Sequence, residues 1–428
     1  MKTVASMPQT VASASPRGAL KVLVLDEALP YPPDSGKRLR TWNLLRHLAP
    51  RHQITLLAHG EHDSARELAA RRALEAAGLR VRTVAPLPDR RGLALYAALL
   101  RNCASPWPYS VAKHHTPRYT QAVREELRDH NYDLVQVEWT PYSSHLLRSR
   151  VLRSRGPIAP PPTLIASHNI EAQIWERRAQ LAHGAARLYF RAQASKMRRF
   201  EAEAFARAQF VTGVSQLDAE AAGRLGAPRV AVVANGVDLD YFQPRSHVES
   251  EMIAFVGALD WFPNQDAVEF FAAQVLPLVR AVAPTARFRV VGRRPPAAWA
   301  SRAWPGVELV GEVSDVRPEM ERAGVMVAPL RVGGGSRIKI LEALAMEKPV
   351  VATTIGAEGL ELLPREHLQV ADSAEALAAS VLECLRNRPA ARAMGCRGAA
   401  LVRGQYGWEQ SALALERAWA ATVKQVAA

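Results

Sequence analysis

The sequence predicts an α/β protein built from two doubly wound parallel-sheet domains that face each other across a cleft, and three observations predict it. Short apolar runs such as KVLVLD (Lys21–Asp26), DLVQVE (Asp133–Glu138) and TLIASH (Thr163–His168) alternate with longer stretches of helical spacing. That is the rhythm of parallel strands joined by crossover helices. After the proline-punctuated segment VVANGVDLDYFQPR the rhythm restarts with MIAFVG (Met252–Gly257). The stretch Val325–Gly359 then reads as a βαβ unit: buried strand (Val325–Leu330), glycine loop (Gly333–Gly335), helix (Ser336–Glu347) and second buried strand (Pro349–Thr354).

At 428 residues the chain is long for one core, and two domains of roughly 200 residues are expected. We divide it into a disordered tail (1–18), a first Rossmann-like domain (19–245), a second (246–405) and a closing helix (406–428) packing back across the domains. Hydrophobic content of 48% and charged content of 22% are those of a globular enzyme. No run of about 18 apolar residues exists, so no transmembrane helix is expected. Met1–Arg17 lacks the apolar centre of a signal peptide, which reads as a tail on a cytoplasmic protein. Cys103, Cys384 and Cys396 show neither metal spacing nor a disulfide framework.

The net charge of +14 is unevenly placed. Up to Arg245 there are 35 Lys/Arg against 21 Asp/Glu, and from Ser246 onward 20 against 20. The whole excess is therefore N-terminal. An anionic membrane surface, a phosphorylated lipid or nucleic acid would each suit a basic half, and an arginine-rich composition is the plain alternative. No aromatic-interleaved basic motif or helix-turn-helix pattern supports nucleic acid.

In chain order, Lys21–Asp26 is the first strand. The loop EALPYPPDSG leads into the helix KRLRTWNLLRHLA, with Leu39, Trp42, Leu45 and Leu48 on one face and Gly36 where strand gives way to helix. That point is the C-terminal edge of a parallel sheet, where ligands bind. Gln53–Ala58 and Arg80–Ala85 are further strands, separated by a helix near Ser64–Ala77. From Asp89 to His115 the pattern changes: Leu93–Leu100 is apolar nearly all round and bracketed by Arg90, Arg91 and Arg101. A bilayer-interface helix and a helix buried between the domains both fit this stretch.

His168 falls at a strand's C-terminal end and Asn169 at a helix start; a structural and a ligand-facing histidine are equally supported. The basic helix Arg187–Ala208 reads as a solvated face, and Gln209–Val214 and Val230–Ala234 complete the first sheet. Asp238-Leu239-Asp240 matches a metal-holding aspartate pair only formally, and no metal site is expected. In the second domain the strands Met252–Gly257 and Arg287–Arg293, the short strand VELVG and the βαβ unit follow, then His367–Ala371 and two helices to Ala400. Within the βαβ unit Ile338, Leu341 and Leu344 give the helix one apolar face, Ser336 serves as N-cap, and Arg337, Lys339 and Glu342 are left for solvent or a ligand. Cations in a first helical turn, where a helix alone favours anions, point to an anionic ligand.

The pieces PYPPDSGKRLR, SHNIEAQIWERRA, VVANGVDLDYFQP, FVGALDWFPNQDAVEFF, FRVVGRRP and PLRVGGGSRIKILEALAMEKPVVATTIGAEGL, in this order and spacing, resemble glycosyltransferases of the GT-B architecture. The specific likeness is to the family 4-like "glycosyl transferases group 1" of bacterial exopolysaccharide and cell-envelope assembly, and it covers nearly the whole chain after the tail. The resemblance implies a nucleotide-sugar donor held mainly by the second domain, Glu342 on the ribose hydroxyls, and the pyrophosphate near Gly334, Gly335, Ser336, Arg337 and Lys339. It implies that His168 lies near the sugar, that Gly36 lets backbone approach donor or acceptor phosphate, that Gly257 belongs to the nucleotide-sugar site, and that His168, Arg337 and Lys339 carry the catalysis. Transfer with retention, without a metal or other cofactor, is expected, to a glycan or polyprenyl-diphosphate-linked acceptor at the inner face of the cytoplasmic membrane.

Two departures stand out. A glutamate eight residues before Glu342 is usual, and Gly334 stands there. An arginine and a lysine are usual early in the second domain, where GALDWFPNQD stands, so Arg331, Arg337 or Lys339 is expected to supply the charge. A non-hydrolysing nucleotide-sugar epimerase and a non-catalytic nucleotide- or glycan-binding subunit are the alternatives. A dinucleotide-dependent dehydrogenase lacks support, because no G-x-G-x-x-G follows the first strand.

Overall fold

The computed structural model describes residues 18–147, 161–244, 251–302, 304–333 and 337–424. The tail and the loop residues Gly334, Gly335 and Ser336 lie outside them. Two parallel sheets organise the chain, as expected. The first contains β1 (Lys21–Leu25), β2 (Gln53–His59), β3 (Arg80–Val84), β4 (Leu134–Val137), β5 (Thr163–Ala166), β6 (Phe210–Gly213) and β7 (Val230–Val232). Its order is β3-β2-β1-β4-β5-β6-β7. The second contains β8 (Met252–Val256), β9 (Arg287–Val291), β10 (Val307–Gly311), β11 (Val325–Ala328), β12 (Val350–Ala352) and β13 (Gln369–Val370), in the order β10-β9-β8-β11-β12-β13. The order reverses beside β1 and β4 in one sheet and beside β8 and β11 in the other. In open α/β sheets ligands bind at such points.

Alternation along the central strands explains why both sheet faces are covered. Val22 and Val24 of β1 face Leu44, Leu45 and Leu48 of the helix Gly36–Leu48, whereas Leu23 and Leu25 face Tyr119, Val123 and Phe205. In the second sheet Ile253 and Phe255 of β8 join one core and Ala254 and Val256 the other. A strand buried on both sides must be apolar throughout, and each large side chain so buried stabilises the fold by about 1.5–3 kcal/mol. The helix Gly36–Leu48 also buries Arg40 and Thr41, while Leu39 and Trp42 are only half-buried. The predicted apolar face is thus buried at Leu45 and Leu48 and partly open at Leu39 and Trp42.

Arg40 has a specific task. Its guanidinium donates to Val233 O at 2.7 Å, Ala234 O at 3.0 Å and Asn235 Oδ1 at 2.9 Å, clamping the segment that leaves the first sheet. Asp238, in the formal metal motif, pairs with Arg46 at 3.3 Å and accepts from Tyr241 N at 3.0 Å, so it closes a turn.

The helix Trp408–Lys424 lies on the first domain. Trp419 is fully buried and donates to Gln136 Oε1, and Glu416 binds Arg51 at 3.0 Å and His52 at 2.9 Å. Gly236 is needed beneath it, because an added Cβ would come within 2.7 Å of Trp408. Further contacts join the domains across the cleft: Arg293–Asp34 at 2.8 Å and Arg177–Glu358 at 2.7 Å.

Burial decides one stretch that the sequence left open and divides a second, read as a solvated face, into an exposed and a buried side. The helix Gly92–Cys103 is not buried between domains; its only buried residue is Asn102. The helix Gly184–Arg207 exposes Arg187, Arg191, Arg198 and Arg199 but buries Met197, Phe200, Glu201 and Phe205. Glu201 accepts from Glu171 N at 2.7 Å and Ala172 N at 3.1 Å, capping the helix Glu171–Leu181 from outside.

Candidate functional site

Strand register brings two carboxylates to the switch point of the first sheet. Leu25 pairs with Val137, so Asp26 and Glu138 leave β1 and β4 side by side. Both are buried. Glu138 accepts from Thr41 Oγ1 at 3.0 Å and from Gln136 Nε2, and its Oε1 lies 3.2 Å from His168 Nε2. Burial opposes the charge on Glu138, yet His168 and Arg40 hold its pKa below the ordinary carboxylate value. His168 is thus placed at the ligand edge of the sheet and packed against an ionised carboxylate.

Asp26 lies beside Lys37, which also binds Glu27 at 2.9 Å. Burial raises Asp26 to about 6 despite Lys37, with Glu138 adding to the rise. Burial would raise Glu27 as well, but Lys37 and His114 outweigh it and hold it at about 2. Burial lowers His114 to about 4. Trp139 stands edge-on to His114 at 4.8 Å and donates to Glu171 Oε1 at 2.8 Å. Carboxylates, imidazoles and aromatic edges thus line this crevice, a set suited to hydroxyl-bearing ligands. Gly36 is the exposed first residue of the helix that begins here, behind the N-cap Ser35.

The crevice of the second sheet is cationic. Lys339 projects from the helix Ile338–Ala345 to the end of β8, where Gly257 makes room: an added Cβ would lie 2.8 Å from Nζ. Nζ donates to Asn264 Oδ1 at 2.7 Å and lies 4.0 Å from the Phe255 ring centroid. No carboxylate is within ion-pair distance of it among the described residues. Burial, with Arg337 adding, lowers Lys339 to about 7. Burial also raises Glu342, one turn along, to about 7 against the pull of Lys339.

Of the two readings the sequence leaves for Arg337, solvent or a ligand, burial removes the first. Only 2% exposed, it stands at the N-cap position, since the helix begins at Ile338. Its Nη2 is 3.4 Å from Glu358 Oε2, and burial lowers its pKa to about 10. Glu358 also receives Arg177 Nη2, and Arg177 Nη1 donates to Gly333 O. Gly333 has φ 136°, a conformation open to glycine, and an added Cβ would meet Arg337 at 3.6 Å.

Of the three cations expected to replace the missing pair, Lys339 and Arg337 face this crevice. Arg331 does not share it: a bidentate pair with Asp266, at 2.6 and 3.1 Å, and the Phe270 face at 4.6 Å take up its charge. Sequence reasoning passed over Glu138, Lys37, Asn264, Arg177 and Glu358. Glu138 had a readable signal, an acidic residue closing the apolar run DLVQV. Asn264 had none, because its role depends on Lys339, 75 positions away. Among the described residues no group of three or more His, Cys, Asp or Glu is arranged to hold a metal ion. A cavity of about 340 Å³ lies elsewhere, among Arg365, Gln369, Glu383, Cys384, Asn387 and Met394.

Comparison with known proteins identifies the fold and the family. Solved structures share the fold: a sucrose-phosphate synthase from Thermosynechococcus elongatus (16% identity, 92% of this chain and 97% of that one, TM-score 0.68) and HepE from Anabaena, solved with UDP and glucose (15%, 93% and 98%, 0.63). A glycosyltransferase from Rickettsia africae is a third (12%, 93% and 98%, 0.60). No curated protein sequence matches significantly. Residues 35–241 match the family described as Glycosyltransferase Family 4, and residues 250–387 the family described as Glycosyl transferases group 1. The two matches together span most of the chain and both sheets, and the chain belongs to these GT-B glycosyltransferases.

Proposed function

We propose that the protein transfers a sugar, with retention of anomeric configuration, from a nucleotide-sugar donor to a glycan or polyprenyl-diphosphate-linked acceptor in exopolysaccharide or cell-envelope assembly. The observation that carries the donor half is Lys339: a half-buried cation, hydrogen-bonded to a neutral amide and facing a glycine-opened backbone, at the switch point of the second sheet. Such a cation is costly until an anion joins it. A diphosphate supplies that anion, and Lys339 and Arg337 would stabilise its charge as the glycosidic bond breaks. Glu342 would hold the ribose hydroxyls, and Gly334, Gly335 and Ser336 the phosphates.

HepE was solved with UDP and with UDP-glucose, which makes UDP the first nucleotide to test. TarM from S. aureus was solved with fondaparinux, α-GlcNAc-glycerol and UDP, which supports a glycan-type acceptor. In the proposed step the bond from the anomeric carbon to the diphosphate oxygen breaks and one to the acceptor oxygen forms on the same face. The acceptor proton passes to the departing diphosphate, so no metal is required. The first crevice, with His168, Glu138 and Asp26, would hold the acceptor hydroxyl and the transferring sugar. Closure across Asp34–Arg293 and Arg177–Glu358 would exclude water that otherwise hydrolyses the donor.

A thermal-shift screen of nucleoside diphosphates tests the donor half, because a ligand that binds only the folded state raises its melting temperature. A rise with at least one nucleotide is expected, and no rise with any would overturn the reading. Incubation of that donor with polyprenyl-diphosphate glycan, followed by NMR of the product anomer, tests the rest. An inverted product would remove the retaining mechanism.

A further inference from the structure

The helix Gly92–Cys103 wears its apolar residues on the outside. Leu93 is 88% exposed, Tyr96 66% and Leu100 73%, and this i, i+3, i+7 spacing draws one stripe along a helix about 18 Å long. A water-facing helix ordinarily shows the reverse pattern. The helix is firmly placed. Gln193 donates to Asn102 Oδ1 at 2.9 Å and Lys196 to Asn102 O at 2.9 Å, fixing its C-terminal end to the helix Gly184–Arg207. That second helix presents Leu188, 68% exposed, between the exposed Arg187 and Arg191. The stripe is therefore a preformed surface on the first domain.

Its surroundings choose the partner. Between Arg90 and Arg124 the chain contains no acidic residue, and between Arg177 and Phe200 it contains seven Lys/Arg and again no acidic residue. Arg90, Arg101, Arg187 and Arg191 are exposed around the apolar stripe, with Asp89 at its edge paired to Arg91 at 2.7 Å. A second copy of this face would bring like charges together, and a nucleic acid would leave the leucines unused. We infer that this face docks on an anionic lipid bilayer, with Leu93, Tyr96 and Leu100 entering the headgroup boundary and the arginines meeting lipid phosphates. The inference deepens the proposed function by placing the catalytic cleft at a surface that holds lipid-linked acceptors. The charge excess of the N-terminal half is then an interfacial property.

The test is co-sedimentation of the full chain with vesicles of phosphatidylcholine alone and of phosphatidylcholine with phosphatidylglycerol. Binding is expected only to the anionic vesicles, weakening as salt rises. Leu93→Glu with Leu100→Glu should lower the bound fraction by roughly tenfold or more, and Arg90→Gln with Arg101→Gln should act similarly. Both sites are exposed, so the melting temperature and the nucleotide-induced shift should match the parent. No binding by the parent, equal binding by the variants, or a dimer in light scattering that Leu93→Glu with Leu100→Glu dissociates would each overturn the inference. Loss of the nucleotide shift in the parent would instead count against the donor reading and leave the vesicle result standing.

Discussion

The two switch points are built alike and charged differently. The first gathers Asp26, Glu27 and Glu138 around Lys37 and His168. The second gathers Lys339 and Arg337, with Glu342 and Glu358 as their acidic neighbours. This inverts the bulk charge, since the basic half of the sequence holds the acidic crevice and the neutral half the cationic one. Bulk charge describes the outer surface. The crevices are set by a few buried groups whose local field is strong because water is excluded. Under the proposed function the contrast divides the labour of a transferase, with the anionic leaving group assigned to the second sheet and the hydroxyl-bearing acceptor to the first.

The largest expected effect comes from removing the cation of the second crevice. Lys339→Met should cut transfer by on the order of a thousandfold, about 4 kcal/mol, with nucleoside diphosphate affinity falling in parallel by calorimetry. The melting temperature without ligand should hold or rise, because a desolvated charge is removed. Unchanged nucleotide affinity would break the assignment. The opposite signature is expected in the first crevice. His168→Ala and Glu138→Gln should each lower kcat by about ten- to a hundredfold while leaving the nucleotide Kd within about twofold. Should the nucleotide Kd weaken as much as kcat, the division between the crevices fails. Glu342→Ala should weaken nucleotide binding by about 1–3 kcal/mol, the worth of a charged-acceptor hydrogen bond. Equal affinity would take Glu342 out of the site.

Much of this was legible in sequence, for reasons particular residues show. A strand buried on both faces admits few polar residues, so β1, β4 and β8 stand out as apolar runs and the residues after them, Asp26, Glu138 and Gly257, mark the ligand edge. Lys339 stood out because a cation in a first helical turn after a glycine loop favours an anion, and it does lie in that turn. Arg331 looked equivalent but is neutralised by Asp266, 65 positions earlier, a pairing that no local pattern encodes. Arg337 was left between solvent and a ligand because the helix was expected to begin at Ser336; the first turn starts at Ile338, which places Arg337 at the buried cap. Arg177 and Glu358 escaped notice because their partners come from the opposite domain.

The smallest and most discriminating effect is a proton count. Lys339 at about 7 is mostly charged below neutral pH and mostly neutral above it in the ligand-free protein. A bound diphosphate favours the charged form, so above pH 7 binding must draw a proton from solvent. Between pH 7 and 9 the terminal phosphate, whose second pKa is about 6, is already ionised and contributes no compensating change. Through Lys339, affinity should therefore weaken as pH rises from 7, by up to about tenfold per unit, until the pKa of the lysine in the complex is reached. Glu342, raised to about 7 by burial, gains its negative charge over the same range, and because the ribose hydroxyls favour that charged acceptor it pushes affinity the other way. The variants separate the two. Glu342→Gln should keep the part of the slope that comes from Lys339, whereas Lys339→Met should lose it. Calorimetry at pH 8 in buffers of different ionisation enthalpy should find about one proton taken up per nucleotide bound by the Glu342→Gln variant. Zero uptake there would mean that Lys339 stays charged without ligand, and the cationic crevice would then owe its attraction to Arg337 and the helix N-terminus.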